Sequence, residues 1–335
     1  MGRRMRAGIV VLVVLAIVGI GYMGYVGIAG SNYLMDAPLT RDCRTPDVQF
    51  GWPYEAINYD RADDAQLPVR NPHLDTCAYQ GTSAGDEVIT DDGIHVAGWY
   101  IPAGNGAGPT APTVVLVHGF DGSKSSILRS GEGLHEAYNL VAFDMRNTGR
   151  SSGHQTTGGV LEQKDLRAII DWLERTKHPA HLGVLGLSLG AGTALAEATG
   201  DPRVEALALD SMHTRVHYQV EARLGERGQP AYPGTWAIFL AVRIRTGVDL
   251  GSIDAEDEVG KVGRRPVLLI HGTVDTEDLV ERTQTLYRDL LAAGVPAELH
   301  LCEQSGHGVP GHMPAQVCRD SYAGWVQDFF SRSLH

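Results

Sequence analysis

The chain has 335 residues, 43% of them hydrophobic and 20% charged, which is enough apolar material for one large domain and too much for wholesale disorder. Its 41 glycines follow no G-X-Y period, so a collagen-like rod is excluded. Lys and Arg number 28 against 40 Asp and Glu, a net charge of −12; without Arg3, Arg4 and Arg6 the balance is 25 against 40, or −15, a field that repels phosphate backbones and argues against a nucleic-acid partner.

Those three arginines precede residues 7–30, which contain no charge. In a helix at about 1.5 Å per residue this stretch reaches roughly 36 Å, against about 30 Å of hydrocarbon in a bilayer. Residues 1–30 therefore read as a signal anchor, spanning the membrane through residues 7–30. Arginines hold the N-terminus in the cytoplasm, which places the body outside it. The alternative is a secreted protein released by signal cleavage, since Gly27 and Ala29 are small residues at a suitable spacing for a peptidase. The four cysteines, Cys43, Cys77, Cys302 and Cys318, form no C-x-x-C and give no zinc or thioredoxin signal. An even count in an oxidising compartment suggests two disulfides. Nearness in sequence favours Cys43–Cys77 and Cys302–Cys318 among three pairings, with four buried free thiols as the alternative.

Residues 31–83, rich in Pro, Asp and Arg, read as an extended extracytoplasmic arm. Strands are expected at 86–90 and 94–101 around the hairpin signal Asp91-Asp92-Gly93. From 113 onward strands and helices alternate. Strands are expected at 113–117, 139–143, 181–187, 204–209, 266–270 and 297–301. Helices are expected at 123–137, 160–177, 191–198, 277–293 and 314–331. Short apolar runs between helices predict an α/β domain over 84–333, its sheet mostly parallel and covered on both faces. Residues 211–262 break the rhythm and read as a helical cap insertion.

Two G-x-S-x-G motifs occur, and context separates them. At 186–190 the motif follows an apolar strand and opens a small-residue helix, the setting of a nucleophile elbow, which makes Ser188 the candidate nucleophile. At 81–85 the motif follows a polar segment and lacks both neighbours, so Ser83 reads as a loop residue. The Leu189 N–H at the helix start and the Phe120 N–H in H-G-F-D-G-S at 118–123 are candidate oxyanion donors. A serine hydroxyl needs a base, and the base needs an orienting carboxylate. His307, in the S-G-H-G loop after the last strand, is the candidate base, with His312 as alternative; His118 and His271 read as packing residues. Asp275 in H-G-T-V-D is the candidate acid, ahead of Asp210 and Asp278. Arg215, Arg223, Arg243 and Arg245 in the insertion read as solvated cap residues, with recognition of an acidic substrate group as the alternative.

The ordered motifs H-G-F-D-G-S, D-M-R-N-T-G-R-S, G-L-S-L-G, H-G-T-V-D and S-G-H-G make the chain resemble the α/β hydrolases, in particular the membrane-anchored bacterial members of serine esterase and serine aminopeptidase type. The resemblance covers about residues 84–333. It implies an eight-stranded sheet, a cap over the Ser188 pocket, and hydrolysis of an ester, thioester or amide in a small-molecule or peptide acyl substrate through an acyl-enzyme, with no cofactor or metal. Peptidase or acyltransferase chemistry and a silent membrane-tethered binding module are the alternatives. Asn147 stands where relatives usually carry Gly; Asn tolerates left-handed backbone, so the turn is expected to survive. Asp121 brings a carboxylate near the oxyanion site, which is expected to disfavour anionic substrates.

Overall fold

The computed structural model describes residues 3–35, 44–57, 86–120, 122–308 and 316–334. Cys43, Cys77, Ser83 with its motif at 81–85, Asp121 and His312 lie outside the described residues. The strands are β1 Glu55–Ile57, β2 Gly98–Ile101, β3 Thr113–Val117, β4 Asn139–Phe143, β5 Leu182–Leu187, β6 Ala206–Asp210, β7 Val267–Gly272 and β8 Ala297–Cys302. The helices are α1 Arg3–Met35, α2 Pro46–Phe50, α3 Lys124–Ile127, α4 Glu162–Thr176, α5 Leu189–Gly200, α6 Val216–Glu226, α7 Ala231–Thr246, α8 Ala255–Glu258, α9 Val280–Ala292 and α10 Gln316–Ser333.

The eight strands form one sheet in the order β1-β2-β4-β3-β5-β6-β7-β8. The β1–β2 and β2–β4 pairs are antiparallel and the other five are parallel. Side chains alternate across a strand, and β3 shows the result. Val115 and Val117 face a core built with Leu166, Ile169 and Leu173 of α4, Leu195 of α5 and Leu286 of α9. Val114 and Leu116 face the opposite core, which holds Ile127 and Tyr322, Val326, Phe329 and Phe330 of α10. Burial on both faces is why these strands read as continuous apolar runs.

Three expectations are corrected. The stretch read as an arm supplies the first strand, Glu55–Ile57, and α1 continues past residue 30 to Met35. The expected strand at 86–90 is reduced to an isolated bridge between Ile89 and His95 around the turn closed by Gly93 N–H to the Thr90 carbonyl, and only Gly98–Ile101 of the expected 94–101 joins the sheet. The helix expected over 123–137 stops after one turn and a short 3-10 segment, Leu128–Gly131. Close packing explains the break, because the chain at Gly131 and Gly133 runs against Leu116 and against Ala323 of α10, each within 2.8 Å of where a Cβ would stand.

Cys302 and Cys318 form a disulfide with a Cα–Cα distance of 5.7 Å. It joins cysteines separated by 16 in sequence, with His307 between them. In the chain-entropy picture such a closure stabilises by about 3 kcal/mol.

Candidate active site

The joint between β5 and α5 is one residue long, and that residue is Ser188. Its backbone has φ 56° and ψ −116°, a left-handed turn for a non-glycine residue. Such strain persists only where the surroundings impose it. Here the Ser188 N–H donates to the Asp210 carbonyl at 2.8 Å. On either side, a Cβ at Gly186 would meet the Gly190 carbonyl oxygen at 2.5 Å, and one at Gly190 would meet the Val117 carbonyl oxygen at 2.3 Å. No side chain fits at either position, so the two glycines are a packing requirement of the elbow.

Loops from four other strand ends converge on this serine. After β8, His307 Nε2 lies 2.8 Å from Ser188 Oγ. After β7, Asp275 Oδ2 lies 2.8 Å from His307 Nδ1. The Asp275 carboxylate is itself held by the Glu277 and Asp278 N–H groups, at 2.8 and 3.1 Å, and by His271 Nε2 at 3.3 Å. Burial opposes charge on both partners. The hydrogen bond between them outweighs it, holding Asp275 below the ordinary carboxylate value and raising His307 above the ordinary imidazole value. A carboxylate accepts only, so His307 carries its proton on Nδ1 and offers the Nε2 lone pair to the serine hydroxyl.

A second histidine reaches the same oxygen. His213 Nε2 lies 2.8 Å from Ser188 Oγ, and its ring stacks on His307 with centroids 5.1 Å apart and planes 9° apart. A hydroxyl has one proton, which the His307 Nε2 lone pair takes up. His213 must therefore hold its proton on Nε2 and donate it to Oγ. Burial pushes the His213 pKa below the ordinary value and keeps the ring neutral, with Nδ1 3.9 Å from Asp278 Oδ2. Sequence reasoning did not reach His213. The available signal was position: it stands three residues beyond β6, at the same edge of the sheet as the other site residues.

The competing residues serve other groups. Asp210 accepts from the Ser211 hydroxyl at 2.9 Å. Asp278 accepts from the Thr214 N–H at 3.0 Å and from Arg282 at 3.2 Å. His118 is buried, with Nδ1 2.7 Å from the Gly119 carbonyl and Nε2 accepting from the Met145 N–H at 3.0 Å. His271 binds the Asp278 carbonyl and Thr283.

The loop after β3 passes directly over the serine, with Ser188 Cβ 3.3 Å from where a Cβ of Gly119 would stand. Phe120 is half-buried on this loop, and Leu189 is the first residue of α5, where N–H groups have no partner within the helix. The loop is braced from below by the fully buried ion pair of Lys124 and Asp144. Arg146 clamps the following loop through Asp165 at 2.7 Å and Asp92 at 2.9 Å. Asn147 has φ 61°, the left-handed turn its residue type permits. Its side-chain amide donates to the Met35 carbonyl at 2.9 Å, at the end of α1.

Above Ser188 lies a cavity of about 770 Å³, within the range of pockets for drug-sized ligands. Its floor holds Ser188, His213 and His307, and its walls come from α6 and from α1. The segment after β6 forms α6, α7 and α8. Of the four arginines singled out in it, three are engaged in ion pairs: Arg215 with Asp254 and Glu256, Arg223 with Glu277 and Glu226, and Arg243 with Asp249. Arg245 binds Ser31 and Asn32 of α1.

Sheet order, elbow and crossing loops define an α/β hydrolase, and the sequence profile of the α/β hydrolase fold matches residues 112–242. An uncharacterized protein of Salmonella typhimurium, YfhR, is 31% identical over 60% of this chain and 68% of its own length. The uncharacterized protein YqkD of Bacillus subtilis is 27% identical over 66% of this chain and 71% of its own. The chain belongs to the α/β-hydrolase family. Among solved structures, the Pyrococcus furiosus esterase Pf2001 superposes with a TM-score of 0.66 at 21% identity, covering 90% of this chain and 99% of the esterase. That likeness concerns the fold.

Proposed function

We propose that the protein is a serine hydrolase that cleaves an acyl ester through an acyl-enzyme on Ser188. The observation that carries this reading is the hydrogen-bonded line Ser188–His307–Asp275, with both contacts at 2.8 Å. His307 Nε2 takes the hydroxyl proton as Oγ attacks the acyl carbon, and then gives it to the leaving oxygen. Asp275 keeps the ring in the required tautomer and stabilises the imidazolium. The Phe120 and Leu189 amides receive the oxyanion, a term of about 3 kcal/mol per donor in comparable sites. Water then repeats the sequence on the acyl-enzyme. Peptide cleavage runs on the same groups, so a panel of acyl p-nitrophenyl esters and aminoacyl-naphthylamides tests the bond type. Turnover confined to the amides would replace esterase with peptidase.

The base must be neutral to act, and its pKa is raised by Asp275. Activity is therefore expected to fall with decreasing pH through a midpoint above the ordinary histidine value of about 6.5. The pH dependence of kcat/KM checks this, and a midpoint below that value would contradict the Asp275–His307 contact in the free enzyme.

The same reading places the body outside the cytoplasm, anchored by α1. The Cys302–Cys318 disulfide fits an oxidising compartment. Protease added to spheroplasts is expected to digest the hydrolase body, whereas a fully protected body would reverse the topology.

A further inference from the structure

Among the described residues, α1 has one stretch, Ile9–Met35, long and apolar enough to cross a membrane. It is not a tether detached from the enzyme. Its C-terminal third forms a wall of the cavity over Ser188 through Tyr25, Val26, Ala29, Gly30, Tyr33 and Leu34. The Tyr33 ring lies 5.9 Å from that of Phe120, on the loop that crosses the serine. At about 1.5 Å per residue, a span that starts at residue 7 leaves the hydrocarbon near residue 26. The cavity wall therefore begins where the bilayer ends.

The cap helix α7 lies against this same part of α1. A Cβ at Gly27 would stand 2.9 Å from the Ala237 carbonyl oxygen, and one at Gly30 would overlap the Ile238 side chain at 2.3 Å. Met35 shares a buried cluster with Val242. Matching 27 with 237, 30 with 238 and 35 with 242 shows that the two helices run in the same direction. Trp236, Leu240 and Ile244, four residues apart, then share one face of α7, and Tyr232 stands at its membrane-side end. These residues are 59%, 39%, 75% and 83% exposed. A patch of this kind facing water is a liability. Beside a membrane-spanning helix, with Tyr and Trp at the boundary level, it has the composition of an interfacial belt.

We infer that the membrane-side end of α7, at Tyr232 and Trp236, lies at the outer-leaflet interface beside α1, and that the cavity receives the acyl chain of an ester lipid from that leaflet without the lipid crossing bulk water. The inference rests on the serine hydrolase reading above and adds the substrate class and the surface that delivers it. The signal-cleavage alternative sits poorly with it, since a cut after Ala29 would remove Tyr25, Val26 and Ala29 from the wall.

The test uses the full chain in phosphatidylcholine vesicles carrying a palmitoyl-glycerol ester, with p-nitrophenyl butyrate in detergent as the soluble comparison. Wild type is expected to release palmitate from the vesicles. Tyr232→Ser combined with Trp236→Ser is expected to lower that release about tenfold or more and to leave butyrate turnover unchanged, which also reports folding. Brominated phosphatidylcholine is expected to quench wild-type tryptophan fluorescence more than that of Trp236→Phe. Butyrate hydrolysis without palmitate release, palmitate release unaffected by the double substitution, or equal quenching would each overturn the inference. Failure on both substrates would overturn the esterase reading instead.

Discussion

Ser188→Ala is expected to lower turnover by on the order of 10⁶-fold, the scale seen when a nucleophile of this kind is removed, and to abolish covalent labelling by a fluorophosphonate. The argument is positional. Ser188 occupies a strained single-residue joint whose Oγ faces two imidazole nitrogens at 2.8 Å, and no water or neighbouring hydroxyl can inherit that placement without rebuilding the elbow. Ser83→Ala, in the other G-x-S-x-G, is expected to leave labelling and turnover intact. Gel-based labelling of the two variants decides the matter, and a labelled band surviving in Ser188→Ala would sink the assignment.

The second large effect concerns which histidine is the base. Both rings reach Ser188 Oγ at 2.8 Å, but only His307 has a carboxylate oxygen at hydrogen-bond distance from its other nitrogen. His307→Gln is expected to reduce kcat by on the order of 10⁵-fold or more, because proton transfer and tautomer control are lost together. His213→Gln keeps a donor near the serine and is expected to cost about tenfold to a hundredfold, the scale of a lost orienting contact. His213 does not move the proton, so the acid limb of the kcat/KM profile should persist in His213→Gln. Single-turnover acylation with a p-nitrophenyl ester measures both. The reverse ranking would make His213 the base.

The sheet was legible in the sequence because its central strands are buried on both faces and so appear as unbroken apolar runs between Gly and Pro. The elbow was legible for a different reason. Gly186 and Gly190 are forced by backbone contact, and the strand before Ser188 and the helix after it distinguish this motif from the one around Ser83. Short or edge elements were less legible. Glu55–Ile57 has three residues and no period to detect, and the helix expected over 123–137 ended where Gly131 and Gly133 pack against Leu116 and Ala323. His213 escaped because no local pattern marks it; its significance comes from the register of β6 beside β5, which carries the chain after Asp210 back over Ser188. The cavity wall contributed by α1 was hidden for the same reason, since an uncharged run reads as a membrane span whether or not its end also packs on an enzyme.

The bond from Asn147 to the Met35 carbonyl has a practical consequence. With the contacts of Tyr22 to Gln229 and Arg245 to Ser31 and Asn32, it makes the last turns of α1 part of the folded body. A fragment prepared by cutting after Met35, the natural choice for removing the apolar N-terminal helix, would lose one side of the cavity over Ser188. It would also bare Val220, Leu224 and Ile238, which now pack around Val26. The cavity of that fragment would be an open trough, and its tendency to self-associate would reflect the cut rather than the native chain.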